Sequence, residues 1–185
     1  MNDILGSGGF ASRLFQNVRS RLGLAYAVGG QLTAGWEYPG PLYVFCMTKS
    51  ETTVKAIRAM MDEVRRMTEE SVTDEELQLA KDTILNSFVF NYDSRAKILR
   101  QQITYAYYGF PADYLSRYRQ SIEKVTTADV GRVAKKYVHK DQMAILVVGP
   151  PKGQDRPLES FGKVKKVDIT IPPPGGEKGS SPSAP

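Results

Sequence analysis

Histidine and cysteine are almost absent from this chain of 185 residues, with His139 the only histidine and Cys46 the only cysteine. Zinc sites in proteins draw their ligands from His, Cys, Asp and Glu, and a catalytic site commonly uses three of them at close range. No second histidine follows His139, so the sequence predicts no typical zinc site and His139 is interpreted as a loop residue after a helix. A single cysteine also excludes an internal disulfide.

Long apolar runs and concentrated charge are absent too. No run approaches the roughly 20 residues that span a bilayer, and the first residues lack the basic and then apolar pattern of a signal peptide. The 25 Lys and Arg are interspersed with 20 Asp and Glu, for a net charge of +5. This favours a solvated, mildly basic surface. The basic residues match no nucleic-acid motif, so only the net charge supports a nucleic-acid-binding domain.

Two further kinds of site find little support. A serine or cysteine hydrolase needs a base beside its nucleophile, whereas Cys46 lies in an apolar run and is predicted to pack in the interior. The glycine-rich residues 6–9 precede a helix, whose free amides attract phosphate. This stretch is neither a Walker loop nor preceded by a strand, and the alternative interpretation is a flexible hinge.

The first third of the chain predicts a helix followed by a hairpin. Apolar residues at offsets of three and four predict a helix over 11–22, and Gly23 is suited to a left-handed cap at its end. Two segments rich in β-forming residues, 24–36 and 42–48, flank the turn-rich residues 37–41. The simplest arrangement is an antiparallel hairpin.

Helical patterns dominate the next part of the chain. Ser50 is predicted to cap the first helix, and Thr73 with Glu76 forms a capping box before the second. The polar residues 91–94 compete for backbone hydrogen bonds and predict a break. The predicted helices cover residues 50–70, 73–88, 94–108, 111–124 and 126–137.

The last part of the chain changes in character. The apolar run Ala144–Val148 is predicted to be a buried strand. Residues 1–150 are therefore expected to form one α+β domain, an antiparallel sheet with helices packed on one face. Residues 151–171 are expected to be an extended segment. Residues 172–185, rich in Pro, Gly and Ser, are expected to be a disordered tail.

Residues 12–26 carry the most informative pattern. The helix opens with Ser-Arg-Leu-Phe, continues to Arg19, and is followed by Gly-Leu-Ala-Tyr ending at Tyr26. This pattern resembles the signature of the pitrilysin/insulinase-type zinc metallopeptidases, of the processing-peptidase-like kind, in the half-domain that binds no zinc. Shorter pieces recur in the same order and extend the resemblance to residues 1–150; they lie at 72–77, 108–114, 125–130 and 147–149.

The resemblance implies roles for Arg19 and Tyr26 that their spacing does not. From spacing alone, Arg19 is a polar residue on a helix face and Tyr26 is a half-buried aromatic of a strand. In the family, the matching Arg and Tyr reach across to a substrate held by the other half. An arginine fork can bind a carbonyl or carboxylate at two points, and a tyrosine hydroxyl can donate to the oxyanion formed in amide hydrolysis.

The resemblance therefore implies the C-terminal half of a bacterial-type zinc endopeptidase. This half would bind no cofactor and be inactive alone. Its partners would be a zinc-bearing half and an extended peptide substrate. The alternative from the same superfamily is a non-catalytic scaffold or structural subunit of a complex. Many bacterial members of the family are exported, which favours a periplasmic location for the parent protein. A cytoplasmic location is the alternative.

The resemblance also implies a boundary. Half-domains of this family begin with an additional strand and a helix, and Met1 falls inside that helix. The sheet is therefore expected to lack a strand. An uncovered sheet edge invites pairing with another chain, so this piece is expected to form a homodimer.

Overall fold

The computed structural model describes residues 1–33 and 35–171. The predicted tail, 172–185, lies outside the described residues. A two-stranded antiparallel sheet carries helices on one face. The predicted α+β class, with helices packed on one face of an antiparallel sheet, is confirmed.

The sheet is the predicted hairpin. Strand β1 (Ala27–Leu32) pairs with strand β2 (Leu42–Met47), and Ala27 lies opposite Met47. Along β2, half-buried and exposed residues alternate, because successive side chains of a strand point to opposite faces. The ladder ends where the Thr33 amide donates to the Pro41 carbonyl at 3.2 Å, so β1 is shorter than predicted.

Short helical segments precede the hairpin. They are a π-helical turn at Asp3–Ser7, a 3-10 turn at Gly9–Ala11 and a π-helix at Phe15–Arg21. Gly6 lies so close to β1 that a Cβ at this position would collide with the Gly30 amide, which requires glycine here. The predicted helix over 11–22 is confirmed in its later part.

Within the described residues, five α-helices follow the hairpin. The predicted break is confirmed, since the Ser94 hydroxyl accepts a hydrogen bond from the Lys97 amide at 3.3 Å and starts a new helix. The Thr73–Glu76 capping box is confirmed as well. The helices are α1 (Thr53–Glu69), α2 (Asp74–Ser87), α3 (Arg95–Tyr107), α4 (Tyr114–Lys124) and α5 (Thr127–Tyr137). None of these described helices is both long and apolar enough to cross a bilayer.

The start of α1 differs from the prediction. Ser50 lies in a 3-10 turn ahead of the helix and does not cap it. Instead, the carboxylate of Asp155 accepts hydrogen bonds from the amides of Val54 at 2.8 Å and Lys55 at 3.2 Å. Because Asp155 is 101 positions from Val54 in the sequence, no local pattern could reveal this cap.

The core joins the N-terminal helical segments to α1 and α5. Leu5, Leu14, Val18 and Val54 have no exposed surface. Apolar residues of β2 pack against this cluster from the sheet, among them Val44 and Cys46. The main buried members are Ile4, Leu5, Leu14, Val18, Met60, Val64, Met67, Val130 and Ala134.

The tyrosines near the end of α3 and the start of α4 are partly shielded by other aromatic rings. Tyr108 stacks on Trp36 with ring centroids 4.7 Å apart, and Phe110 packs edge-on against Tyr114 at 4.6 Å. Tyr107 is the exception, since 79% of it is exposed. These rings therefore pack against one another and against the hairpin loop.

The prediction of a buried strand at Ala144–Val148 is wrong. In the described structure this run belongs to no strand, and Leu146 and Val148 are 81% and 86% exposed. Apolar composition predicted burial, but a buried strand also needs a neighbour for its backbone groups. Among the described residues β2 pairs only with β1, and the run lies across a groove from the free edge of β2.

Candidate functional site

Arg19 and Tyr26 lie together on an open surface. The Arg19 guanidinium carbon is 5.7 Å from the centroid of the Tyr26 ring and 4.8 Å from that of Phe15. Such distances are those of a cation–π contact. Both Arg19 and Tyr26 are exposed, and Tyr26 is 81% exposed rather than half-buried. The interpretation of Tyr26 as a half-buried strand residue is thus wrong.

A glycine turn brings the two side chains together. The Gly23 amide donates to the Arg19 carbonyl at 3.1 Å, and Gly23 adopts φ +62°. This is the predicted left-handed cap, which reverses the chain at the end of the π-helix. The Tyr26 amide then donates to the Met47 carbonyl at 2.9 Å and joins the sheet. The turn and this hydrogen bond therefore fix the distance between the end of the π-helix and the start of β1.

Two partly buried polar contacts anchor the π-helix and the residue pair just before it to α1 and α2. Arg13 forms a two-point ion pair with Glu76 on α2, at 2.6 and 2.8 Å. The Asn17 amide group donates to the carboxylate of Glu63 on α1 at 2.6 Å. Glu63 is 3% exposed and also pairs with Arg66 at 3.1 Å. Sequence reasoning assigned Arg13 and Asn17 no role, because their partners lie far along the chain.

The polar ends of the pair are available to a ligand. Among the described residues, neither the Arg19 guanidinium nor the Tyr26 hydroxyl has a hydrogen-bond partner. A guanidinium offers a rigid fork of donors and a phenol offers one donor. Together they can bind a carbonyl, a carboxylate or an oxyanion.

An apolar strip on β2 lies next to this pair. Tyr43, Phe45 and Met47 occupy alternate positions on the outer face of the strand and are 41%, 43% and 63% exposed. The Met47 carbonyl also accepts the hydrogen bond from the Tyr26 amide, which connects the strip to the pair. The β-forming residues of this run predicted the strand, whereas the alternation of its buried and exposed faces is seen only in the structure.

The remaining candidate residues do not join this surface. Within the described ranges, no group of three or more His, Cys, Asp and Glu is arranged to hold a metal ion. His139 follows the end of α5 in a loop, as interpreted. Cys46 is half-buried on the core side of β2, and burial raises the pKa of its thiol. The described site is therefore a surface of hydrogen-bond donors beside an apolar strip.

A helix–glycine–strand unit presents Arg19 and Tyr26 side by side on the surface. The model of the peptidase M16 inactive domain matches residues 1–84, which include Arg19 and Tyr26. Residues 1–84 are thus assigned to the inactive domain of the peptidase M16 family, the pitrilysin/insulinase-type zinc metallopeptidases indicated by the resemblance.

Curated relatives support this assignment. An uncharacterized zinc protease of Mycobacterium tuberculosis is 30% identical over 144 residues, which are 77% of this chain and 32% of that protein. A non-peptidase homolog of Helicobacter pylori is 25% identical over 150 residues, or 80% of this chain and 34% of that protein. The chain thus spans about a third of the length of the curated relatives it matches.

Solved structures agree on the fold. A peptidase M16 inactive domain from Pseudomonas fluorescens superposes with a TM-score of 0.69 at 28% identity, covering 76% of this chain and 33% of that one. A conserved protein from Enterococcus faecalis gives a TM-score of 0.63 at 21% identity, covering 73% of this chain and 31% of that one. The second likeness supports the fold alone.

Proposed function

We propose that this chain is the zinc-free half of a zinc-dependent endopeptidase and supplies Arg19 and Tyr26 to a zinc-bearing half. The observation that carries the proposal is the contact between these two exposed side chains, inside the region matched by the inactive-domain family. The zinc-bearing half, fused or separate, would hold the metal and activate water. This chain alone would cleave nothing.

Each side chain has a distinct proposed role. The Arg19 fork would bind a carbonyl or terminal carboxylate of an extended peptide at two points. The Tyr26 hydroxyl would donate to the oxyanion that forms when water attacks the amide. Because these donors come from a second domain, the site would be complete only when the two halves close on the peptide.

The apolar strip beside the pair supports a peptide ligand. Tyr43, Phe45 and Met47 offer exposed uncharged side chains in a row along β2. A peptide in β conformation presents its own side chains with the same period of two. The strip would therefore contact alternate side chains of a substrate whose backbone lies near Arg19 and Tyr26.

A second candidate is a non-catalytic scaffold. The observation in its favour is the likeness to the non-peptidase homolog of Helicobacter pylori. For either function, residues 1–150 would form the half-domain and residues 151–171 a following segment. The periplasmic location of the parent protein stays a prediction.

Reconstitution with a zinc-bearing half from the same genome separates the two candidates. Tyr26→Phe should lower kcat by about 10²-fold with little change in KM, since the lost hydroxyl acts in the transition state. Arg19→Ala should raise KM as well. Tyr38→Phe and Arg21→Ala, at other exposed positions of the hairpin and the π-helix, serve as matched controls. Full activity of both site variants would support the scaffold.

A further inference from the structure

A groove of about 1070 Å³ lies between β2 and the apolar run that follows α5. β2 forms one wall, residues 143–149 form the other, and α1 contributes Ile57, Met60 and Met61. None of the described residues lining it is Asp, Glu, Lys or Arg. Any occupant must therefore present uncharged groups.

The β2 wall is an unpaired strand edge. The hydrogen bond from Thr33 to Pro41 marks a directly bonded pair, and bonded pairs alternate along an antiparallel ladder. The odd-numbered residues of β2 thus bond to β1, and Leu42, Val44 and Cys46 direct their N–H and C=O groups to the groove. No backbone group of the described residues pairs with them.

These walls specify an occupant in β conformation. Unpaired N–H and C=O groups at every second residue are satisfied by one added strand. Val44 and Cys46 point to the core side with α1, so the side chains of the strand on that side must be apolar. On the opposite side the strand meets solvent and can carry polar residues.

The chain itself contains a segment of this kind at 164–171. Val167, Ile169 and Ile171 alternate with Asp168 and Thr170 and are 61%, 83% and 88% exposed. Within the described structure, no backbone–backbone hydrogen bond involves residues 164–171. Six residues of a strand span about 20 Å, and β2 is six residues long, so the segment is long enough to pair along it.

We propose that residues 164–171 of a second copy enter this groove and pair with β2. Val167, Ile169 and Ile171 then face α1, and Asp168 and Thr170 face solvent. In the described structure a single copy leaves both the groove and the segment open, so each of two copies can offer one strand and one free edge to the other. Reciprocal exchange gives a closed two-fold dimer, the commonest symmetry of homo-oligomers. This interaction is independent of the proposed peptidase function.

Disulfide trapping tests the pairing directly, because Cys46 is the only cysteine and lies on the core side of β2. Ile169→Cys places a second thiol on the same side of the added strand. Under mild oxidation we expect a disulfide-linked dimer on a non-reducing gel. Peptide mapping should show the bond between Cys46 of one copy and the new cysteine of the other.

Two matched variants control this experiment. Thr170→Cys puts the thiol on the opposite side of the strand and should give no disulfide-linked dimer. Cys46→Ser combined with Ile169→Cys removes the partner thiol and should give no disulfide-linked dimer either. A bond closed within one chain would overturn the second copy as the occupant. No bond in any variant would overturn the pairing itself.

A proline tests the hydrogen bonds of the edge. Val44→Pro removes an N–H that points to the groove and leaves the bonds to β1 in place, which is where a strand tolerates proline. Light scattering should show that Val44→Pro raises the dissociation constant of the dimer by about tenfold or more. Val44→Thr keeps the N–H and should leave this constant unchanged. Circular dichroism checks that both variants fold. A wild-type chain that stays monomeric at high micromolar concentration would refute the proposal.

Discussion

Arg13 and Glu76 are 63 positions apart in the sequence and form a two-point ion pair, with Nε–Oε1 and Nη2–Oε2 distances of 2.6 and 2.8 Å. Arg13 is 8% exposed and Glu76 28%. The same carboxylate accepts the Thr73 amide at 2.8 Å, so Glu76 both caps α2 and holds the segment that leads to Arg19. The geometry of the candidate site thus depends on a contact outside it.

Removing this ion pair should destabilise the fold. Arg13→Met leaves a half-buried carboxylate without its charged donor, and we expect a loss of about 2 kcal/mol in the free energy of unfolding. Arg117→Met is the matched control, because the Arg117–Asp113 pair is 66% and 56% exposed and such pairs contribute about 0.3 kcal/mol. Urea titration measures both variants, and equal losses would contradict the prediction.

The same pair predicts a pH dependence. Hydrogen bonds from Arg13 hold the pKa of Glu76 below its ordinary value of 4.5, although burial opposes them. A carboxyl with a lowered pKa stabilises the fold above its unfolded pKa, and this stabilisation is lost as the pH falls through the folded pKa. Urea unfolding from neutral to acid pH should therefore show a smaller acid loss in Arg13→Met than in the wild type. An identical loss in both would argue against the pair as its source.

Gly23 and Gly131 offer a matched comparison. A Cβ at either position would meet no atom within 4 Å, but only Gly23 has a positive φ. We expect Gly23→Ala to destabilise the fold by about 1 kcal/mol, since an L-residue is strained there, and to disturb the contact between Arg19 and Tyr26. Gly131 lies inside α5, so Gly131→Ala should stabilise by about 0.5 kcal/mol. Thermal unfolding of the two variants should shift in opposite directions.

The distant cap of α1 is testable by thermal unfolding and hydrogen exchange. Asp155→Ala removes the acceptor for the amides of Val54 and Lys55 and should lower the Tm by about 3 °C. Those two amides should also exchange faster. Asp168→Ala is the control, because the hydrogen bonds of Asp168 go to Thr170 within the same exposed segment. Unchanged exchange at Val54 would contradict the cap.

The dialysed chain alone should bind no stoichiometric zinc and cleave no fluorogenic peptide. The reasons are the single histidine and the lack, within the described residues, of a cluster that could hold a metal ion. Metal analysis and a peptidase assay measure the two properties, and addition of a zinc-bearing half is the positive control. One tightly held zinc per chain, or cleavage that a chelator stops, would overturn the prediction.

Much of the local structure was predictable because its causes lie within a few residues. The Thr73–Glu76 capping box, the break before Ser94 and the hairpin all follow from neighbouring side chains and turn residues. The strand predicted at Ala144–Val148 failed for the opposite reason. Its burial required a neighbouring strand, and apolar composition carries no information about a neighbour.

The sequence by itself determined that Arg19 and Tyr26 stand on either side of a left-handed glycine, and its signature identified the family. Only the tertiary structure decided that these two side chains are in contact and remain exposed. It also decided that Arg13 pairs with Glu76 and that Asp155 caps α1. Turns and caps are set by backbone torsions and by hydrogen bonds within about four residues. Distant partners are chosen by the packing of whole helices against the sheet, which no short window of sequence contains.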